Sequence, residues 1–248
     1  AVAKRYYAGD LLGNVSRFDP DGTLGTPGAV RIAQLLSASG VAQPVTTAPV
    51  LAEINDHGFK TAAVFVGTGR LWGLSDVSNV DGQSIYGIRD RLTSSDWGNF
   101  RNSGAVAQTL QTSGNVRTAT KNPVDWSTKS GWYVDLPDAG ERINVPMLLQ
   151  STTLVALGNV PQSVAACVDG EAGYSWLYML DIATGSAITD ITRLSDLATG
   201  LSRYVLPSGK PVVSITQKKT IDTRQVPPKV NFQTNAKKVS WRELIDRQ

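Results

Sequence analysis

A chain of 248 residues, 41% hydrophobic and 18% charged, has enough apolar material for one large core or two small ones. Its lone Cys167 and lone His57 exclude an internal disulfide framework, multi-Cys and multi-His metal sites, and any Ser-His-Asp triad that does not recruit His57. No run approaches the roughly 18 apolar residues of a membrane-spanning helix. The net charge of +3 is uneven: residues 210–248 hold nine of the 24 basic residues and three of the 21 acids, leaving 15 basic against 18 acidic upstream. Only Phe232 and Trp241 are interleaved with the basic tail, too few for a base-stacking platform, so a solvated basic edge facing an acidic partner or lipid headgroups fits better than nucleic-acid binding.

The chain opens Ala1-Val2-Ala3-Lys4-Arg5 with no initiator Met and no apolar signal core, and reads as a cut through a longer protein. Tyr6-Tyr7-Ala8 and Val15-Ser16-Arg17-Phe18 flank Gly9-Asp10-Leu11-Leu12-Gly13-Asn14, predicting a hairpin, because Gly and Asn accept positive φ and Asp caps exposed amides. A second turn follows at Asp19-Pro20-Asp21-Gly22. His57, within Asn55-Asp56-His57-Gly58, reads as a hairpin-tip residue. Ala62 to Gly67 echoes the opening strand, and Gln83-Ser84-Ile85-Tyr86-Gly87-Ile88-Arg89-Asp90 alternates and ends on Asp.

Residues 91–130 are rich in Ser, Thr, Asn and Gly and predict a loop-rich insertion joining short strands. Strand character returns at Trp132-Tyr133-Val134-Asp135-Leu136, at residues 152–160, at Ser175-Trp176-Leu177-Tyr178-Met179-Leu180-Asp181 closed by Ile182-Ala183-Thr184-Gly185, and at Val212-Val213-Ser214-Ile215-Thr216. Pro227-Pro228 marks an extended stretch, and Ser240-Trp241-Arg242-Glu243-Leu244-Ile245 reads as a closing strand or a short capped helix. Recurrent strand-turn-strand units predict an all-β chain built by radial repetition, a β-propeller. The length holds about five four-stranded repeats at most, so only part of a full propeller is expected: blades over 1–209 and a basic closing segment of the same domain over 210–248.

Chemistry is sparse. Gly67-Thr68-Gly69-Arg70 lacks the third Gly and the helix of a nucleotide loop and reads as a turn. Spacing alone does not make Asp135 and Glu141 an acid-base couple, and one solvated acid plus one paired with Arg142 is the plain alternative. No catalytic or cofactor-binding residue is assigned. Asp76-Val77-Ser78-Asn79-Val80-Asp81-Gly82 places Asp76, Asn79 and Asp81 before a Gly, the donor types a calcium ion takes. Turn capping by the same side chains stays open beside it, and Asp19, Asp21 and Gly22 make a weaker candidate.

In order, Tyr7-Ala8-Gly9-Asp10-Leu11-Leu12-Gly13-Asn14, Arg17-Phe18-Asp19, Gln43-Pro44-Val45-Thr46, Ala48-Pro49-Val50, Val66-Gly67-Thr68-Gly69-Arg70, Gln83-Ser84-Ile85-Tyr86-Gly87-Ile88, Gly131-Trp132-Tyr133-Val134-Asp135-Leu136-Pro137 with Gly140-Glu141-Arg142, Ser175-Trp176 with Leu180-Asp181, and Trp241-Arg242-Glu243-Leu244 resemble the PilY family of type IV pilus factors and the related PilC adhesins. The resemblance implies a modified, quinoprotein-like propeller forming the C-terminal part of a larger exported protein. It implies display at the cell surface, outer membrane or pilus tip, a non-enzymatic role in pilus assembly, adhesion and twitching motility, and partners among minor pilins and a host or surface receptor. Family members often carry a calcium loop before the Tyr-Ala-Gly-Asp strand, which here has only Ala1-Val2-Ala3-Lys4-Arg5 before it, so calcium is expected only of the full-length protein. Cys167 sits where similar sequences place a Cys, and a disulfide would need an upstream partner. The competing expectations are a quinoprotein-like dehydrogenase and a general cell-envelope scaffold that binds peptides by strand addition.

Overall fold

In the computed structural model the described residues are 5–20, 22, 28–163, 173–218 and 220–227, with the backbone of 235–238. Cys167, Asp21, Pro228 and the 240–245 segment lie outside them. The strands are β1 Tyr6–Gly9, β2 Asn14–Asp19, β3 Gly28–Gln34, β4 Val50–Asp56, β5 Phe59–Gly67, β6 Ser84–Asp90, β7 Val106–Gln108, β8 Leu110–Ser113, β9 Val116–Ala119, β10 Gly131–Asp135, β11 Leu148–Gln150, β12 Thr153–Pro161, β13 Gly173–Asp181, β14 Ile191–Leu194, β15 Ala198–Val205, β16 Pro211–Gln217, β17 Ile221–Gln225 and β18 Asn235–Lys238. One helical turn, α1 Leu74–Val77, and a 3-10 turn, Phe100–Asn102, interrupt them.

These strands form four open sheets: β1-β2-β3, then β18-β4-β5-β6-β10-β7, then β11-β12-β13-β14-β9-β8, then β15-β16-β17. Side-chain alternation explains how they stack. Val64 and Val66 of β5 pack with Val15, Ile32 and Leu35 of the first-sheet region, while Ala63 and Phe65 face a second cluster containing Leu154, Ala156, Trp176 and Tyr178 of the third sheet. Val155 and Leu157 of β12 turn the other way and meet Val213 and Ile215 of the fourth. Successive residues of a strand point to opposite faces, so each central sheet feeds two cores. That is why β5, β12 and β13 read as nearly continuous apolar runs. Sheets stacked in series, each packing on the next, give a propeller-like all-β fold, as the hairpin repetition predicts.

The opening hairpin pairs Tyr6 with Phe18 and Gly9 with Val15, and Asp10 caps its turn by accepting from the amides of Leu12 and Asn14 at 2.9 and 2.8 Å. His57, at φ 50°, is exposed at the tip between β4 and β5. The 91–130 segment is threaded into two sheets: β7 runs parallel to β10, the β8–β9 hairpin extends the third sheet, and Phe100 and Trp126 are fully buried. The 209/210 boundary falls at the tip of the β15–β16 hairpin, where the Gly209 amide donates to Leu206 at 2.8 Å.

Candidate functional site

A cleft of about 180 Å3 opens where the first sheet meets the second. Leu11 comes from the β1–β2 turn, Ala42 and Pro44 from the β3–β4 connection, Arg70, Asp76, Asn79, Asp81 and Gln83 from the β5–β6 connection, and Arg142 from the chain after β10. The three calcium candidates therefore line one cavity. Their polar groups, however, are engaged with protein.

Asp76 accepts from the backbone amides of Trp72 and Gly73 at 2.8 and 3.2 Å and from Arg70 Nε at 2.8 Å. These bonds, the Trp72 amide foremost and the Arg70 guanidinium next, hold its carboxyl below the usual carboxylate range. Asn79 and Asp81 serve each other: Asn79 Nδ2 donates to Asp81 Oδ2 at 2.7 Å, and the Asp81 amide donates to Asn79 Oδ1 at 3.1 Å. The oxygen-rich core of the loop is filled by a guanidinium. Arg142 donates through Nη1 to the carbonyls of Arg70 at 2.8 Å and Asp76 at 2.5 Å, through Nη2 to Asn79 at 2.6 Å, and through Nε to Gly140 at 2.7 Å. A calcium ion needs six to eight converging oxygens, and here the carbonyls that converge already hold a cation. Among the described residues no group of three His, Cys, Asp or Glu side chains gathers. Asp76, Asn79 and Asp81 do not fit a calcium site in this arrangement.

Two glycines admit the arginine. Gly140, at φ +73°, would put a Cβ 2.9 Å from the Asn79 carbonyl, and Gly69, at φ +125°, faces the Arg142 stem too closely for any side chain. Gln83 closes the cleft with one acceptor idle: it is 6% exposed, and its buried Oε1 has no hydrogen-bond partner.

The expected pairing of one of the acids Asp135 and Glu141 with Arg142 is corrected. Glu141 does not bind Arg142. It accepts from Arg117 Nη1 at 2.8 and 3.0 Å and from the Tyr178 hydroxyl at 2.6 Å, while Arg117 Nη2 reaches Asp138 at 2.6 Å. Arg142 forms an isolated antiparallel bridge with Asn159, and adjacent residues in extended backbone point to opposite faces. Burial raises the Glu141 carboxyl, and burial followed by the Glu141 charge raises the Tyr178 hydroxyl. Asp135 lies elsewhere, bound by Arg101 and by the Ser84 hydroxyl at 2.7 Å. Arg17 likewise meets Asp90 across the first and second sheets, and the Tyr7 hydroxyl donates to the same carboxylate at 2.8 Å. Each of these charged clusters ties one segment of the fold to another.

Known proteins place this architecture. No family model matches the chain. A type IV pilus biogenesis factor PilY1 homolog of Xylella fastidiosa is 30% identical over 73% of this chain and 13% of its own length. PilY1 of Pseudomonas aeruginosa is 29% identical over 74% of this chain and 19% of its own. The crystal structure of the Pseudomonas aeruginosa PilY1 C-terminal domain superimposes with a TM-score of 0.68 at 20% identity, covering 88% of this chain and 56% of that one. The chain is a PilY1-family C-terminal region. It spans about a fifth or less of the length of the curated PilY1 relatives it matches.

Within that family setting, the arginine-filled loop is what sequence reasoning missed. Gly69, Gly140 and Arg142 were visible as part of the motif series, yet their role emerges only when the β5–β6 connection and the segment after β10 are brought together, some 70 residues apart in sequence.

Proposed function

We propose that this chain is the propeller portion of a non-enzymatic type IV pilus assembly factor that also serves as a pilus-tip adhesin, exported to the cell surface and acting through minor pilins and a host or surface receptor. The observation that carries the reading is the joint match to PilY1 proteins, in sequence over some three quarters of the chain and in fold over 88% of it. The relatives are named as biogenesis factors, and the charged clusters here act as struts between packed segments, as a binding scaffold requires. Among the described residues no helix is long and apolar enough to cross a membrane.

The test is excision of this chain from the full-length gene in its own host, followed by recovery of sheared surface pilin, twitching on agar and adhesion counts. Loss of surface pilin with restoration by the intact gene is the expected result. Unchanged piliation would refute the assembly role, and unchanged adhesion by piliated cells would refute the adhesin role. Purified protein incubated with a quinone cofactor and an alcohol should show no turnover; sustained oxidation would transfer the assignment to a dehydrogenase.

A further inference from the structure

Each central sheet of the stack feeds two cores, whereas the described residues of the first sheet feed one, through Val15, Ile32 and Ala33. An antiparallel sheet packed on one face and wet on the other alternates apolar inward with polar outward. The outward positions of the first sheet break that rule. Tyr6 lies opposite Phe18, and Phe18 opposite Ala29, in one cross-strand row; Ala8 lies opposite Ser16, and Ser16 opposite Arg31, in the next. Tyr6 and Phe18 are 48% and 40% exposed, and Phe18, Ala8 and Ala29 belong to none of the three apolar clusters among the described residues.

A cross-strand aromatic pair steadies a hairpin by itself, but these rows go further. Ala8, Ser16 and Ala29 are small enough to let another sheet approach to the roughly 10 Å of face-to-face packing, and the two rings beside them have the bulk to interdigitate with it. Arg31, the one charged side chain of the two rows, is already neutralised: its Nε donates to Asp96 at 2.8 Å and its Nη1 to Asn14 at 3.3 Å. The face carries no charge that a covering sheet would have to bury unpaired.

Size selects the occupant. Six side chains in two rows are far short of the roughly 20–30 residues a side used by a stable complex of separate molecules. A segment of the same polypeptide meets the face at high effective concentration and needs no such area. PilY1 proteins have that segment to offer. This C-terminal region spans 13% and 19% of two curated relatives and 56% of the crystallised Pseudomonas aeruginosa C-terminal domain whose fold it shares. Polypeptide preceding it in a full-length protein reaches the fold at β1, the edge strand of this sheet, whose first residue Tyr6 belongs to the aromatic row.

We propose that the outer face of the first sheet, carried by Tyr6, Phe18 and Ala29, packs against a further β-sheet of the same polypeptide, formed by residues that precede this region in the full-length protein. The face is then a core face through which the stack continues. The test uses full-length protein from its own host, with a benzophenone amino acid replacing Phe18, which keeps an aromatic ring there, and the same residue replacing His57, whose side chain is 73% exposed at the β4–β5 tip, as control. After illumination and digestion, mass spectrometry should find position 18 joined to a peptide preceding residue 1, in protein that stays at monomer mass, with no such product from position 57. A crosslink from position 18 to a second copy or to another protein, equal yields of the same product from both positions, or no crosslink at 18 would overturn the proposal. In the full-length protein, Phe18→Lys should speed protease cleavage of the junction preceding Tyr6 about tenfold, while Phe18→Tyr leaves it unchanged; equal rates in Phe18→Lys and the unmodified protein would also overturn it. Both readouts report packing within one polypeptide, so they stand or fall separately from the pilus role proposed above.

Discussion

Glu141 and Arg142 are neighbours in sequence and serve two different regions. Between the second and third sheets, Arg117 and Glu141 are both fully buried and bind each other, Tyr178 and Asp138. On the other side of the same backbone, Arg142 reaches into a surface loop and binds carbonyls instead of a carboxylate. The first region uses an arginine to let two sheets meet around charge that water cannot reach. The second uses one to fix a loop whose apolar side chains remain in solvent. Similar chemistry makes a core joint in one place and a loop clasp in the other.

The largest effect should separate the two. Glu141→Ala leaves Arg117 buried without its main counter-charge and should lower unfolding stability by about 3–5 kcal/mol, read as a shift of the urea midpoint at unchanged slope. Arg142→Ala frees carbonyls that lie close enough to solvent to rehydrate, and should cost about 1–3 kcal/mol, with faster amide exchange confined to residues 70–83. Equal costs for the two variants, or exchange spreading through β5 and β6 in Arg142→Ala, would erase the distinction. Arg142→Lys should not restore slow exchange, because an ammonium cannot fork to four carbonyls held in these directions.

Smaller still is Arg70→Ala. Its guanidinium is 45% exposed, and loss of a partly solvated ion pair should cost under about 1 kcal/mol. The smallest effect is a pH dependence. Asp76 has a folded-state pKa below its unfolded value, so its contribution is fully present above the unfolded carboxylate range and is lost as pH falls through the folded value. Protection of the 72–76 amides should therefore decline in acid, and Asp76→Asn should flatten that decline. A loop whose exchange ignores acid in the unmodified protein would show that Asp76 does not hold it.

Local signals were the legible part of the fold. The Asp10 cap, the Gly13 turn and the His57 hairpin tip follow from residue types that fix backbone geometry within a few positions. The strands ending in Asp90 and Asp181 were legible too, because alternation and turn chemistry coincide there. The weaving of residues 91–130 into two sheets was not, since β7, β8 and β9 are three or four residues long and take their stability from partners far along the chain. The site was hidden for a similar reason. Asp76, Asn79 and Asp81 drew attention as oxygen donors, but what fills the loop is Arg142, and its direction is set by the bridge to Asn159 rather than by its neighbours. The exposed Trp72 and Leu74 carry no periodicity that marks them as surface residues.

The account turns on Arg142 clasping the β5–β6 loop through its carbonyls. The direct measurement is amide exchange over residues 70–83 in Arg142→Ala, beside cooperative unfolding of the purified variant. The account predicts faster exchange confined to that loop while the variant still unfolds in one transition. Unchanged exchange of the 70–83 amides would contradict it.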